Sequence, residues 1–216
     1  MPAPEAMSLY FDTSDPGLKA KLEALVPTPG YCVFIDISGS TQMKDQELFH
    51  WATLIHNAFA NVRTFMPTSA FPLKCLGDAL MYFIPKTQPA QASDVPLQLF
   101  AGLASIVDDR DPIFPQQKAA VVSGRAYELT FIQGQDDVYG KDIDLAARLL
   151  SRARSREVLL NRAFYDEVRA AYKRTRSTER FQQVERIRHL GPLDVRGFAT
   201  RVEAFVYGPG RRGQPA

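Results

Sequence analysis

The sequence is poor in the residues that indicate a disulfide framework or a membrane anchor. Among its 216 residues there are only two cysteines, Cys32 and Cys75, and both lie inside apolar runs. We therefore expect buried thiols in a reducing compartment rather than a disulfide-rich secreted domain. No apolar run approaches the ~20 residues of a membrane-spanning helix, and the N-terminus lacks the basic-then-apolar pattern of a signal peptide. These absences predict a cytoplasmic protein with no membrane partner.

Histidine is also scarce. The three histidines, His50, His56 and His189, stand far apart and without metal-ligand spacing, so we interpret them as structural or surface groups. No serine or cysteine stands out in a nucleophile–base pair. Apolar residues (45%) and charged residues (23%) are close to the average for globular proteins, which excludes a disordered or fibrous chain.

Positive charge is concentrated in one part of the chain. The net charge of the whole sequence is only +2. Residues 148–201, however, hold 14 Lys and Arg against 6 Asp and Glu, a net of +8, while residues 202–216 add +1 and residues 1–147 carry −7. A nucleic-acid-binding face, a self-complementary dimer, or a site for an anionic ligand held with metal would each produce such a division.

Periodicity and turn signals predict alternating strands and helices. A strand over 31–35 precedes a helix over 45–66, in which apolar residues recur at spacings of three and four. The dipeptide Gly77-Asp78 between two apolar runs predicts a hairpin. The other expected elements are hairpin strands over 71–76 and 79–84, helices over 17–25, 97–107, 142–153 and 162–172, strands over 118–123, 126–132, 157–161, 179–188 and 202–207, and polar loops over 85–96 and 133–139.

The order of these elements indicates the fold class. A helix after the first strand and a hairpin after that helix are typical of a ferredoxin-like sandwich. We therefore predict an α+β fold with a mixed, mostly antiparallel sheet and helices on one face. No repeat or linker divides the chain, so we expect one domain over residues 30–207, preceded by a preamble over 1–29 and followed by a disordered tail over 208–216.

Two carboxylates stand at strand ends that this topology brings side by side. Asp36 ends the first strand, and Asp78 lies in the hairpin turn. Taken singly, Asp36 is explained about as well by helix capping, and Asp78 is explained better by turn formation. Two adjacent like charges repel unless a cation lies between them, and carboxylate oxygens suit Mg²⁺ or Mn²⁺. In this order and on these elements, the two aspartates together favour a metal site.

The residues after Asp36 have the composition of a phosphate-binding turn. The backbone amides of Ser38, Gly39, Ser40 and Thr41 come at the start of a helix, where such amides bind phosphate oxygens. A metal site beside a phosphate cradle suggests a nucleoside triphosphate and a two-metal displacement at phosphorus.

Five segments resemble, in order and spacing, the motifs of class III nucleotidyl cyclases, the adenylate- and guanylate-type enzymes. The resemblance spans about residues 31–207, and five motifs in register are specific where one would be weak. The segments are Val33-Phe-Ile-Asp-Ile-Ser-Gly-Ser-Thr, Lys74-Cys-Leu-Gly-Asp-Ala-Leu-Met, Ser123-Gly-Arg, Asp137-Val-Tyr-Gly-Lys-Asp-Ile-Asp-Leu-Ala-Ala-Arg-Leu and Leu190-Gly-Pro-Leu-Asp-Val-Arg-Gly.

This resemblance implies roles for particular residues. In that family two aspartates, together with the carbonyl group after the first, bind two Mg²⁺ or Mn²⁺ ions per site. The matching positions here are Asp36, Ile37 and Asp78. A lysine and an acidic residue of the family select the nucleobase, and Lys74 and Asp137 hold those places.

The resemblance also assigns Arg148 to stabilisation of the transition state. In the family the site lies between two chains, so a homodimer would hold two sites, each with metal ligands from one subunit and base and transition-state residues from the other. The reaction requires a 3′-hydroxyl to attack the α-phosphorus in line. Arginine and metal then stabilise charge on the phosphoryl oxygens and the departing pyrophosphate.

Two positions depart from the family pattern. Asp144 stands where the family usually has an asparagine that orients the ribose, and an acceptor-only carboxylate does not donate as an amide does. Phe198 stands where the family often has a basic residue near the end of the domain. Triphosphate binding is then expected to fall to Arg196, Arg201 or Lys118, the last of which lies near the place of a phosphate-binding arginine of the family.

The nucleobase is not decided by a lysine donor and an aspartate acceptor, because adenine, cytosine and uracil each offer one acceptor and one donor. Guanine does so too, although purine size then matters. The lack of an attached sensor and the unusual Asp144 make the chain most similar to the stand-alone pyrimidine cyclases of bacterial anti-phage (Pycsar) signalling. That resemblance implies conversion of UTP or CTP to cyclic UMP or cyclic CMP, which switches on a separate effector, with no nucleic-acid partner. An adenylate cyclase that makes cyclic AMP is the alternative.

Two further functions remain as hypotheses. A catalytically degenerate cyclase fold that only binds nucleotide is supported by Asp144 and Phe198, and opposed by the retained aspartates, Lys74 and Arg148. A receiver-like domain with Asp36 as phosphoacceptor is opposed by the predicted hairpin, which does not suit a parallel fold.

Overall fold

The computed structural model describes residues 17–40, 48–67, 70, 72–86, 94–132, 135–175 and 178–209. The preamble up to residue 16, Thr41, Phe71 and the tail from residue 210 lie outside the described residues. The elements are α1 Leu18–Glu23, β1 Thr28–Ile37, α2 Leu48–Phe65, β2 Lys74–Leu76, β3 Ala79–Pro85, α3 Val95–Asp108, β4 Gln117–Ile132, β5 Gln135–Tyr139, α4 Lys141–Arg152, β6 Val158–Asn161, α5 Arg162–Arg174, a 3-10 helix Thr178–Arg186, β7 Arg188–Leu193 and β8 Val202–Tyr207.

The strands form one mixed sheet in the order β2-β3-β1-β4-β6-β8-β7. Strand β5 pairs with the C-terminal part of β4, from Tyr127 to Ile132. Strands β4 and β6 pair in parallel, and the other pairs are antiparallel. The first four strands have the order of a ferredoxin-like sandwich, so the predicted α+β fold class is confirmed. Antiparallel pairing of β1 with both of its neighbours also excludes the parallel receiver-like fold.

Strand β1 is buried on both of its faces. Tyr31, Val33 and Ile35 belong to an apolar core that includes residues of α2, α3 and α5. Cys32 and Phe34, which alternate with them, belong to a second core that includes residues of α4. A near-continuous apolar run without polar alternation is typical of a strand covered on both sides. The prediction that all helices lie on one face is therefore wrong, because α4 covers the opposite face.

Strand β4 is one continuous element of sixteen residues, where the sequence predicted two strands broken at Gly124. Gly124 stays in the ladder, paired with Gly30 of β1. A Cβ atom at Gly124 would lie 2.3 Å from a carboxylate oxygen of Asp142. The glycine therefore makes room for the Asp142 side chain of α4 and does not end the strand.

Two other element predictions are wrong. Residues 135–139, predicted as part of a polar loop, form β5 along the C-terminal part of β4. Residues 178–186, predicted as most of a strand, form a 3-10 helix. The helix is kinked at Phe181, whose backbone angles are not helical, and Phe181 and Val184 are its buried apolar residues.

The thiols also differ from expectation in one respect. Cys32 is buried as predicted, but Cys75 is exposed. Because β2 is an edge strand of three residues, its side chains at Cys75 and Leu76 remain exposed. Both cysteines are free thiols. Within the described part of the chain, no helix is both long and apolar enough to cross a membrane.

Candidate active site

The two aspartates at the end of β1 and in the β2–β3 turn are neighbours. Asp36 is paired with Ala79 of β3, the residue directly after Asp78. The two-residue turn is closed by pairing of Leu76 with Ala79, and Gly77 takes the positive φ of +68° that this turn requires. Partial burial raises the pKa of Asp36, and the charge of Asp78 adds to this rise. Lys118 of β4, whose Nζ lies 3.3 Å from an Asp36 carboxylate oxygen, opposes it.

This donor set fits a hard divalent cation. Burial raises the pKa of Asp36 and the charge of Asp78 raises it further, and a cation between the two carboxylates would relieve their repulsion. Among the described residues, no cluster of three or more His, Cys, Asp or Glu could hold a metal ion. Mg²⁺ or Mn²⁺ here would therefore rest on the two carboxylates, on main-chain oxygen such as that of Ile37, and on substrate phosphate, a combination that Mg²⁺ commonly uses.

The predicted phosphate-binding turn retains only part of its amides. The backbone N–H of Ser38 donates to the carbonyl of Gln116 at 2.8 Å, so this amide is already occupied. Gly39 follows with a φ of +77°, and Ser40 is buried. The Ser38 hydroxyl oxygen is also buried and has no hydrogen-bond partner among the described residues. The remaining candidate donors are Gly39, Ser40 and the Ser38 hydroxyl group, because Thr41 lies outside the described residues.

The predicted base-selecting pair is formed within a single chain. Lys74 of β2 donates from Nζ to both carboxylate oxygens of Asp137 on β5, at 2.6 and 2.7 Å. The Val138 amide and the Tyr139 hydroxyl group also donate to this carboxylate, at 2.8 and 2.9 Å. Partial burial acts to raise the pKa of Asp137, but the hydrogen bonds from Lys74, Val138 and Tyr139 outweigh it and hold the pKa below its usual range.

Helix α4 carries Arg148 and Asp144 one turn apart. Asp144 is exposed in the first turn of the helix, where its negative charge suits the helix dipole. Within the described ranges, Nε of Arg148 is buried without a hydrogen-bond partner. The same guanidinium group lies beside the β7–β8 connection, since a Cβ atom at Gly197 would be 3.8 Å from one of its Nη atoms. A buried N–H without a partner is costly, and an incoming anion would satisfy it.

A cavity of about 560 Å³ opens beside this arginine, between the end of α4 and the β7–β8 connection. Three guanidinium side chains line it, those of Arg152, Arg196 and Arg201. Asp194, also in the lining, takes an ion pair from Arg201 at 3.0 Å, and its carbonyl accepts a hydrogen bond from Arg152 at 3.2 Å. The cavity therefore combines three positive charges with one negative charge, which favours an anionic ligand.

The predicted site residues fall into three groups. Asp36, Asp78 and Lys118 form one, Lys74 and Asp137 a second, and Arg148 lies with the cavity in a third. Lys118, predicted to bind triphosphate, forms an ion pair with Asp36 at 3.3 Å. Phe198, the departure from the family pattern, lies in the cavity lining, and Nζ of Lys141 is 5.1 Å from its ring centre.

Sequence reasoning missed Tyr139, Asp142 and Arg152. Asp142 accepts a hydrogen bond from the Arg125 amide at 2.7 Å and so fixes the start of α4 on β4. Tyr139 follows Asp137 by two residues, a spacing that places both side chains on one face of a strand. This spacing could have revealed the contact, but residues 135–139 were predicted as a loop. Arg152 follows Arg148 by one helical turn, which places both on one face of α4.

Comparison with known proteins gives a uniform result for the fold. No protein-family model and no curated protein matches the sequence. The structure superposes on the adenylyl cyclase CyaB from P. aeruginosa with a TM-score of 0.69 and 17% identity, covering 88% of this chain and 98% of that one. For the guanylyl cyclase Cya2 the TM-score is 0.66 at 12% identity, covering 88% and 96%. For the guanylate cyclase domain of RhGC from Catenaria anguillulae, determined with GTP, the values are 0.64 and 12%, covering 85% and 98%.

These neighbours define the class of fold. The chain has the fold of class III nucleotidyl cyclase catalytic domains over most of its length, with the mixed sheet and the helices of that class.

Proposed function

We propose that this protein is a nucleotidyl cyclase, a phosphorus–oxygen lyase that converts a nucleoside triphosphate to a 3′,5′-cyclic nucleotide and pyrophosphate. The observation that carries this proposal is that Asp36 and Asp78 lie next to each other at one end of the sheet, on the fold of known cyclase domains. The Lys74–Asp137 pair would bind the nucleobase, and Arg148, whose buried Nε has no hydrogen-bond partner among the described residues, would stabilise the transition state.

The chemistry assigns a task to each group. The 3′-oxygen of the ribose forms a bond to the α-phosphorus, the bond from that phosphorus to the bridging oxygen breaks, and pyrophosphate leaves. Divalent cations held by Asp36, Asp78 and the Ile37 carbonyl group would supply positive charge that makes the 3′-hydroxyl more acidic. Arg148 donates to the phosphoryl oxygens, where negative charge develops.

The remaining residues bind the substrate. Lys74 and Asp137 contact the nucleobase, and Gly39 and Ser40 contribute to the phosphate cradle. The guanidinium groups lining the cavity, together with Lys118, are candidates for the triphosphate. Asp144 stands one helical turn before Arg148, where its carboxylate accepts a hydrogen bond from a ribose hydroxyl group.

We further propose that two copies of the chain share each site. Among the described residues, no hydrogen bond or ion pair joins Arg148 to Asp36 within one chain. A homodimer brings the acidic residues of one copy against the basic residues of the other and forms two equivalent sites. The separation of −7 over residues 1–147 from +9 over residues 148–216 suits such complementary faces.

A pyrimidine triphosphate, UTP or CTP, remains the substrate that we favour, with cyclic UMP or cyclic CMP as a second messenger that activates a separate effector in anti-phage defence. The support is Asp144, which replaces the usual amide of the resembling family. ATP is the alternative, since CyaB is an adenylyl cyclase. Nucleotide binding without turnover is a second candidate function, and it rests on Asp144 and Phe198.

The experiment that tests the proposal is incubation of purified protein with Mn²⁺ and, separately, ATP, GTP, CTP and UTP, with products weighed by mass spectrometry. We expect one cyclic nucleotide and pyrophosphate in equal amounts. Asp36→Ala and Asp78→Ala are expected to abolish turnover in a folded protein, while Asp94→Ala, a change at an exposed carboxylate, leaves it intact. Absence of any cyclic product from wild-type protein that binds nucleotide would favour the degenerate binding module instead.

A further inference from the structure

The carboxylate of Asp137 has all of its hydrogen-bonding positions occupied. Oδ1 accepts from Lys74 at 2.6 Å and from the Val138 amide at 2.8 Å. Oδ2 accepts from Lys74 at 2.7 Å and from the Tyr139 hydroxyl group at 2.9 Å. An ionised carboxylate offers about four acceptor positions, two on each oxygen. A nucleobase N–H group therefore bonds to Asp137 only if one of these donors leaves.

The three donors differ in how easily they leave. The Val138 amide is fixed by the backbone of β5, next to the carboxylate that it contacts. Lys74 makes short, charge-assisted bonds, which are roughly twice as strong as neutral ones. The Tyr139 hydroxyl group is neutral and makes the longest of the four bonds, and its side chain is 38% exposed. Tyr139 is therefore the donor whose hydroxyl group is exchanged for water at least cost.

We propose that the Tyr139 hydroxyl group is a placeholder on Oδ2 of Asp137, which the N–H group of the incoming nucleobase displaces. This inference rests on the proposed function, in which Lys74 and Asp137 contact the base. Each candidate base has a donor for this position: the amino group of adenine or cytosine, N3–H of uracil, or N1–H of guanine. The aromatic ring of Tyr139 stays beside the pair, since Nζ of Lys74 lies 5.9 Å from its centre.

The placeholder has a consequence for affinity. Every nucleotide that binds must first break one internal hydrogen bond, so the hydroxyl group of Tyr139 weakens binding. Tyr139→Phe removes the competitor and keeps the ring. The KM of the preferred nucleotide is expected to fall roughly two- to tenfold, the worth of one hydrogen bond, while kcat stays within about twofold. If the hydroxyl group instead positions Asp137 for the base, the KM of Tyr139→Phe is expected to be higher than that of the wild type.

A matched control lies on the neighbouring strand. Tyr127 of β4 is the cross-strand partner of Tyr139 and is 37% exposed. Tyr127→Phe makes the same chemical change one strand away from Asp137, and we expect its KM to equal that of the wild type.

The change in affinity caused by Tyr139→Phe is also measured without turnover, by calorimetric titration with the 3′-deoxynucleoside triphosphate, which has no attacking hydroxyl group. Tighter binding to Tyr139→Phe than to wild type and Tyr127→Phe supports the placeholder, and equal or weaker binding overturns it. Lys74→Ala and Asp137→Ala separate this failure from failure of the proposed function. If both lose affinity while Tyr139→Phe gains none, only the placeholder is wrong. If both bind as wild type does, the assignment of the base contacts is wrong, and the placeholder with it.

A pH profile tests the contact between the Tyr139 hydroxyl group and Asp137 on which the placeholder depends. The charged group that faces Asp137 is Lys74, and the Val138 amide and Tyr139 hydroxyl group complete its surroundings. Loss of one of the bonds that lower the pKa of Asp137 raises it, so the acidic limb of kcat/KM is expected at higher pH in Tyr139→Phe. An unshifted acidic limb would contradict the contact on which the placeholder depends.

Discussion

Asp36, at the end of β1, carries a partly buried carboxylate beside that of Asp78, and we expect this arrangement to affect stability. Burial and the Asp78 charge raise the pKa of Asp36 despite the opposing Lys118. A raised pKa in the folded state means that the favourable contribution is present at low pH and is lost as the pH rises through the folded pKa. At neutral pH the carboxylate of Asp36 therefore destabilises the metal-free protein.

Asp36→Asn is accordingly expected to raise the thermal unfolding midpoint at pH 7.5 in a chelating buffer, with a smaller difference from wild type at pH 4.5. Adding Mn²⁺ is expected to raise the midpoint of the wild type and to leave that of the variant unchanged, because binding to the folded state stabilises it. Scanning calorimetry measures both effects, with Asp94→Asn as the control. A variant that gains as much from Mn²⁺ as the wild type would show that Asp36 is no metal ligand.

Arg148 has a buried Nε that makes no hydrogen bond in the described part of the chain. If its role is to meet charge that develops on phosphoryl oxygens, its loss acts on the transition state more than on binding. We expect Arg148→Ala to lower kcat by about 10²- to 10³-fold with a small change in KM. Arg154→Ala, an exposed change near the end of α4, is the control. Equal losses in both variants would assign the effect to charge in general.

Asp36 and Asp78 were predicted as metal ligands from their positions at strand ends and from the family resemblance, and Arg148 was predicted from the resemblance alone; these roles stay predictions. The roles of Tyr139 and Asp142 could not be predicted, since each depends on an element that the sequence misassigned. Tyr139 reaches Asp137 because residues 135–139 are a strand, which puts alternate side chains on one face. The Asp142 side chain packs against Gly124, and this contact depends on the strand continuing through the glycine, where the sequence predicted a break.

Among the elements, β4 shows why sequence patterns misplace boundaries. Glycine usually weakens a strand, and the polar residues of 133–137 indicate a loop. In the structure the first half of β4 pairs with β1 and its second half with β5, so long-range pairing overrides both local signals. The hairpin at Gly77-Asp78 and the strand at Val202–Tyr207, in contrast, were predicted correctly, because a turn dipeptide and a short apolar run are local signals.

The attachment of α4 to β4 is expected to control the position of Arg148. A Cβ atom at Gly124 would lie 2.3 Å from Oδ2 of Asp142. This oxygen accepts a hydrogen bond from the backbone amide of Arg125. Gly124→Ala should therefore displace the start of α4, lowering the free energy of unfolding by about 1–3 kcal/mol. We also expect a loss in kcat, because Arg148 moves with the helix.

The double variant Gly124→Ala/Asp142→Ala removes the clash and is expected to recover part of both losses, as measured by denaturant unfolding and steady-state kinetics. If the losses in unfolding free energy and in kcat of the double variant equal the sums of the losses in the two single variants, Asp142 and Gly124 are not coupled and the packing argument fails.

For the molecule as a whole, the two faces of the sheet have different tasks. One face is covered by α2, α3 and α5, which contribute to one apolar core. The other face carries α4 with Arg148, beside the cavity and its arginines. In the homodimer that we propose, the metal ligands Asp36 and Asp78 of one copy would face Arg148 and the arginines of the cavity from the other copy. Attraction between them across two copies implies that dimerisation weakens as salt concentration rises.

The measurement that tests the central claim most directly is complementation between two inactive variants. In the proposed mechanism Asp36→Ala removes a metal ligand and Arg148→Ala removes the arginine that stabilises the transition state, so neither variant alone would form a complete site. Random exchange of subunits makes about half of the dimers mixed, and one of the two sites in each mixed dimer is intact. Equal mixtures are expected to form cyclic nucleotide at about a quarter of the wild-type rate, whereas each variant alone forms almost none. A mixture that stays as inactive as its components, while exchange is verified and the wild type is active, would contradict a cyclase site shared between two chains.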